Sequence, residues 1–252
     1  MLKIIKANPM EIRHSTNEAG FSLLELIIGM TITISILGLA SGLLAGSFNV
    51  RSREDRKSDA IADVQRALNI MTREISNAGF KVPDGLPTVA TNGIVAGDSN
   101  SQELRIISNL NGLPDPANGY VEDGDVEDAD EDLKFVMYMD SNVGQRYIVR
   151  YEKNGANQTT VLANRVDSLI FRYYDEKVTY DTTVNAGVCD ITNVRNAAGL
   201  EKNEVSPAAA KFVVIAVGVT LPAAGVVDSP GYQPPSQVQL TSDVVLRNSI
   251  VY

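Results

Sequence analysis

The chain has 252 residues, with 22 Lys and Arg against 31 Asp and Glu, a formal charge of −9. An apolar fraction of 44 % supplies a real core and excludes disorder throughout, while the acidic balance excludes a basic nucleic-acid footprint. One cysteine, Cys189, excludes an internal disulfide and a multi-cysteine zinc site, and the one histidine, His14, precedes the body, leaving no His-based metal or triad chemistry there.

Residues 26–50, LIIGMTITISILGLASGLLAGSFNV, contain no charge and no Pro. A bilayer core of roughly 30 Å needs about 20 helical residues, so this run spans it with its backbone bonded internally. A secretory signal peptide has an apolar region of about 7–15 residues followed by a small-residue cleavage site. This run is longer and carries Glu25 at its leading edge, and the polar stretch before it ends in Gly20. Cleavage before the apolar run suits this arrangement better than cleavage after it. Lys3, Lys6 and Arg13 precede the run and Arg51, Arg53, Arg56 and Lys57 follow it, so basic residues do not set the orientation.

Gly20-Phe21-Ser22-Leu23-Leu24-Glu25 followed by the apolar run resembles the class III prepilin signal of type IV pilins and type II secretion pseudopilins. The resemblance implies that a prepilin peptidase cuts between Gly20 and Phe21 and methylates the new Phe21 amine. Residues 1–20 would then be a cytoplasmic leader, and the C-terminal body would lie in the periplasm. Phe21 and Glu25, spaced i, i+4, share a helix face. Glu25 can be neutralised by the Phe21 amine of its own or a neighbouring subunit, which sets register because a misaligned helix leaves a charge unpaired in a dry bundle. The alternative is a Glu that snorkels at the membrane edge without a partner. Gly38, Gly42 and Gly46 form a small-xxx-small ladder that permits close helix approach.

Beyond residue 50 the helical pattern continues. Ile61, Val64, Leu68, Met71 and Ile75 are spaced 3, 4, 3, 4, one apolar stripe of an amphipathic helix. Residues 51–57 read as a solvated charged face just outside the headgroups, Gly79 as a C-cap and Pro83 as a stop. The expectation is one helix of about 55 residues, membrane-spanning over 21–50 and amphipathic over 51–80.

Residues 81–252 read as a β-rich globular domain. Strands are expected at 103–108, 133–139, 147–152, 168–174, 212–221 and 244–251, and loops at 81–101, 109–132, 185–206 and 223–236. The fold class is α+β: a long N-terminal helix packed on an antiparallel β-sheet. Asp63-Val64-Gln65-Arg66-Ala67-Leu68, Met71-Thr72-Arg73-Glu74-Ile75 and Ala78-Gly79-Phe80 resemble the outer helix of PilW-type minor pilins and J-type pseudopilins. Residues 166–175, 216–221 and 246–248 are similar to later parts of the same group. The alternation of Phe171 and Tyr173 reads as a half-buried strand face.

The chain carries no G-x-S-x-G, Walker A, dinucleotide or H-E-x-x-H motif, and Cys189 has no histidine in the body to activate it. No enzymatic activity and no cofactor are expected. Eight acids fall between Glu122 and Asp132. Asp123, Asp125 and Glu127, and again Asp128, Asp130 and Asp132, have a spacing from which alternate carboxylates can ligate Ca²⁺. The competing expectation is a solvated acidic loop.

These features together predict a minor type IV pilin, with prepilin peptidase, other pilins and the inner membrane as partners. A J-type type II secretion pseudopilin is the near alternative. A non-polymerising single-pass protein with a ligand-binding outer domain is the distant one.

Overall fold

The computed structural model describes residues 20–249 apart from 84, 85, 87, 111, 116–118, 123, 155–157, 186 and 230. The leader through residue 19, with His14, and the acid Asp123 lie outside the described residues.

Helix α1 runs without interruption over Leu23–Ser76, 54 residues. Ser22 is its N-cap residue, and the Leu26 amide bonds the Ser22 carbonyl at 3.1 Å. Its C-cap is Asn77, not the expected Gly79, and the Asn77 amide donates to the Glu74 carbonyl. Gly79 stands two residues further on at φ +75° and carries the chain away from the helix axis.

The body is antiparallel throughout, with strands β1 (Glu103–Ile107), β2 (Gly112–Asp115), β3 (Gly119–Glu122), β4 (Asp132–Asp140), β5 (Gln145–Glu152), β6 (Thr159–Asn164), β7 (Ser168–Tyr174), β8 (Val178–Asn185), β9 (Val188–Asn196), β10 (Phe212–Leu221) and β11 (Ser236–Val245). They form a four-stranded sheet in the order β1-β4-β5-β6, a three-stranded sheet β11-β10-β7, and two hairpins, β2-β3 and β8-β9. The α+β class holds, but two sheets and two hairpins replace the expected single sheet.

The outer half of α1 packs on β11, β10 and β6. Val64, Ala67, Leu68, Met71 and Ile75 are buried there against Val213, Ile215, Val217 and Val219 of β10 and Leu169, Phe171 and Tyr173 of β7. Strand β10 is apolar at nearly every position because it is covered twice. Its odd-numbered residues face the helix, while Phe212 and Val214 face Tyr174, Val178 and Ile191 under the β8-β9 hairpin. Phe171 and Tyr173 are core residues rather than a half-buried face.

Several boundaries differ from the sequence reading. The segment 109–132 contains β2 and β3, and 185–206 contains all of β9. Both are rich in Gly, Asn, Asp or Thr, residues that weaken a strand signal without preventing pairing. Strand β6, with three exposed residues before Leu162 and Ala163, has too little alternation to be noticed. The last strand is β11 at Ser236–Val245, upstream of the expected 244–251. Its Ser236 and Gln237 are exposed and its Gln239, Thr241 and Ser242 half-buried at the edge of the sheet, so its pattern is diluted.

Candidate functional site

The chemistry of this chain is concentrated on α1. From Leu23 to Leu44 its large apolar side chains are exposed, with Leu39 at 73 % and Leu43 at 75 %. The helix is long and apolar enough to cross a membrane, and its apolar window has no buried residue. Four of its hydroxyls bond back to the helix, among them Thr33 Oγ1 to the Gly29 carbonyl at 2.7 Å, Ser35 Oγ to Thr31 at 2.8 Å and Ser47 Oγ to Leu43 at 3.0 Å. Such back-bonding lowers the cost of placing these side chains in hydrocarbon.

At the N-terminal end, Phe21 is 80 % exposed and shares a shallow groove with Glu25, Leu26, Gly29, Met30, Thr33 and Ile34. Phe21 precedes the N-cap Ser22 and is outside the helix, so the two do not share a helix face, but both line this groove. Glu25 also lies in the first helical turn, where the helix dipole favours an anion. Gly20 lies just outside the helix with nothing within 4 Å of a Cβ built on it, so the 20–21 bond is sterically open.

The glycine ladder divides. Gly38 and Gly42 have nothing within 4 Å and remain open to a neighbouring helix. Gly46 is buried: a Cβ on Gly231 would lie 2.5 Å from the Gly46 Cα, so the loop joining β10 to β11 rests on Gly46 backbone to backbone. One turn further, a Cβ on Gly225 would lie 3.1 Å from Asn49 Nδ2. After that comes Arg53, whose Nη2 donates to Ser236 Oγ at 2.7 Å. Arg53 is buried, against the expectation of a solvated 51–57 face, and its Nη1 makes no hydrogen bond among the described residues. Gly46, the half-buried Asn49 and Arg53 are spaced three and four and, across a stretch without buried residues, share the helix face of Val64 and Met71. A search for apolar periodicity misses them because none of the three is apolar.

The helix and body are also joined by polar contacts. Thr72 Oγ1 and Ser242 Oγ lie 3.1 Å apart, and Asn248 Nδ2 donates to the Ala78 carbonyl at 3.0 Å. Arg150 of β5 reaches back to Glu74, Nε to Oε2, at 3.0 Å. Burial pushes the Glu74 carboxyl above the usual carboxylate range despite this arginine.

The acidic segment is built into the fold. Asp130 pairs with Arg150, and Asp132 takes Arg105 bidentately, Nε–Oδ1 at 2.8 Å and Nη2–Oδ2 at 2.6 Å. Glu131, fully buried, accepts the amides of Leu110 at 2.9 Å and Asp128 at 3.2 Å. Asp125, Glu127 and Asp128 are exposed, and Asp125 Oδ1 accepts the Glu127 amide at 3.1 Å. The segment is therefore a folded turn whose last three acids are engaged by arginines and backbone amides. No group of three or more His, Cys, Asp or Glu among the described residues is placed to hold a metal. Cys189 is fully buried: a Cβ on Gly218 would meet its Sγ at 2.4 Å, and burial raises its thiol pKa. That environment disfavours the thiolate.

Comparison with known proteins finds no matching family profile, no similar curated protein and no similar solved structure.

Proposed function

We propose that the chain is a minor type IV pilin, a subunit that primes or enters a pilus through α1 and works by packing rather than catalysis. Its leader is cut by a prepilin peptidase between Gly20 and Phe21, Phe21 is N-methylated, and the β-rich body stands in the periplasm on a helix held in the bacterial inner membrane. The observation that carries this reading is the division of one unbroken helix. Residues 23–45 have no covering partner among the described residues, whereas the outer half is the spine of the core. Exposed apolar surface of that extent requires a bilayer first and other helices afterwards.

The open Gly20–Phe21 link, Glu25 in one groove with Phe21 and the uncovered Gly38 and Gly42 are the features an assembling helix needs. A J-type pseudopilin of a type II secretion system would use the same features, and partner identity separates the two. The test is intact-mass analysis of the chain purified from membranes of cells with an active prepilin peptidase. The expected mass lacks residues 1–20 and carries one added methyl group. Retention of the leader overturns the pilin reading and leaves a single-pass membrane protein that does not polymerise.

A further inference from the structure

The loop between β10 and β11 descends along α1 in register with the helix turns. Ser236 lies at Arg53, Gly225 at Asn49 and Gly231 at Gly46. The descent is closed into a tight unit by the paired Ala224 and Gln233, with amide–carbonyl bonds of 3.0 and 2.9 Å, and by the Ser229 and Tyr232 amides, which donate to the carbonyls of Val226 and Ser229. Three left-handed residues, Gly225, Asp228 and Gly231, bend the tip. At that tip Val226 and Val227 are 74 % and 62 % exposed, side by side, with no apolar cover.

The helix supplies the missing coordinate, namely where the tip sits relative to a bilayer. The uncharged run 26–50 is about 37 Å long at 1.5 Å per residue, against a hydrocarbon core of roughly 30 Å. With the run centred, Gly46 falls at the boundary between acyl chains and headgroups, about 6 Å below Val50. The loop meets Asn49 at Gly225 and Gly46 at Gly231, so the Val226-Val227 tip between them lies near that boundary.

We propose that the Val226-Val227 tip is a membrane-interface anchor, inserted into the outer leaflet of the bilayer that α1 spans. The inference rests on the reading of residues 26–50 as a membrane span. Two neighbouring valines exposed to water are costly, and at this depth they are covered by lipid. The surrounding chemistry fits an interface and not the bilayer centre. Tyr232 stands at the loop's return, an aromatic suited to the headgroup level. Arg51, Arg56 and Lys57 are exposed on the first turn above and face anionic headgroups. Asp228, exposed at the bend, sets the limit of insertion, because a carboxylate is tolerated near the headgroups and not deeper.

The test uses the full chain reconstituted in vesicles of phosphatidylethanolamine and phosphatidylglycerol. A polarity-sensitive fluorophore is attached through one introduced thiol, with the buried Cys189 left in place. V226C places the probe at the tip, I36C inside the apolar helix, and L200C at an exposed turn near the far end of the helix. Lipids carrying a nitroxide close to the headgroup should quench the V226C probe about twofold and shift its emission to the blue, as expected for side chains about 5–10 Å into the leaflet. Deep nitroxides should quench I36C, and neither lipid should affect L200C. A quenched I36C with a V226C probe as wet as L200C overturns the anchor and leaves the span standing. If I36C is also unquenched, the span itself is wrong and the anchor falls with it. V227C, equally exposed, repeats the measurement should V226C fail to fold.

Discussion

Gly79 and Gly93 meet so closely that a Cβ on Gly93 would lie 1.8 Å from the Gly79 amide nitrogen. Both are left-handed, at φ +75° and +78°. The contact is locked by Ile107, whose carbonyl accepts the Gly79 amide and whose own amide donates to the Gly93 carbonyl, each at 2.8 Å. Helix end, loop and β1 thus converge on two residues without side chains. Gly93→Ala combines a forbidden φ with a backbone clash and should cost about 3 kcal/mol or more. Gly97→Ala, with open space and no positive φ, should stay within about 0.5 kcal/mol. Thermal unfolding of the two variants checks this.

Glu25 is a separate case, because it is exposed and no hydrogen bond or ion pair holds it among the described residues. Glu25→Ala should insert and be processed normally, yet co-purify with partner pilins on the order of tenfold less, the factor given by about 1.4 kcal/mol of lost pairing. Equal recovery of variant and native chain would return Glu25 to a snorkelling role at the membrane edge.

Within the acidic segment the carboxylates should divide sharply. Asp132→Ala leaves the half-buried Arg105 with Asp98 but without its bidentate partner and should cost about 2 kcal/mol, whereas the exposed Glu127→Gln should cost under about 0.5 kcal/mol. With Asp130, Glu131 and Asp132 already engaged, millimolar Ca²⁺ should leave the melting temperature equal to that in chelator at matched ionic strength. A rise with Ca²⁺ that Asp125→Asn and Asp128→Asn remove would instead establish a calcium site.

Alkali should loosen the core through its tyrosines. Burial pushes the Tyr174 hydroxyl up to about 12 from an ordinary value near 10 and raises Tyr173 further. A folded-state pKa above the unfolded one gives stability that is complete below pH about 10 and is lost as pH rises through the folded value. Stability should therefore decline steeply above pH about 10. Tyr173 also donates to the Asn100 carbonyl at 2.8 Å, so Tyr173→Phe should cost about 1 kcal/mol at neutral pH and flatten the alkaline decline. Denaturant unfolding at stepped pH measures both effects.

The long helix and the central strands were legible in the chain because their burial is apolar and periodic. Strand β10 reads as a continuous apolar run since both of its faces are covered, and β7 carries Leu169, Phe171 and Tyr173 at alternate positions. Legibility failed where burial is achieved without apolar side chains. Gly46, Asn49 and Arg53 lie under the body because of close backbone approach and a hydrogen bond, and no hydropathy pattern reports either. The β8-β9 hairpin hides for a related reason. Val178 and Ile191 are buried against β10, but Asp181, Thr182, Thr183 and Asn193 around them dilute any alternation. The acidic run misled in the opposite sense. Its density of charge suggests solvent, and only the distant Arg105 and Arg150 reveal a folded turn.

The double cover of β10 also fixes the order in which the chain can mature. The helix leaves the ribosome first, but the strands that cover its outer stripe, β10 and β11, come last. At a synthesis rate of roughly 5–20 residues per second, Val64, Leu68, Met71 and Ile75 wait on the order of ten seconds or more for their partners. During that interval the stripe is open to any holdase or competing helix, and a chain truncated before Phe212 never closes it. Maturation is therefore gated by the arrival of the C-terminal third, and the apolar half of α1 is made well before the body it carries can fold.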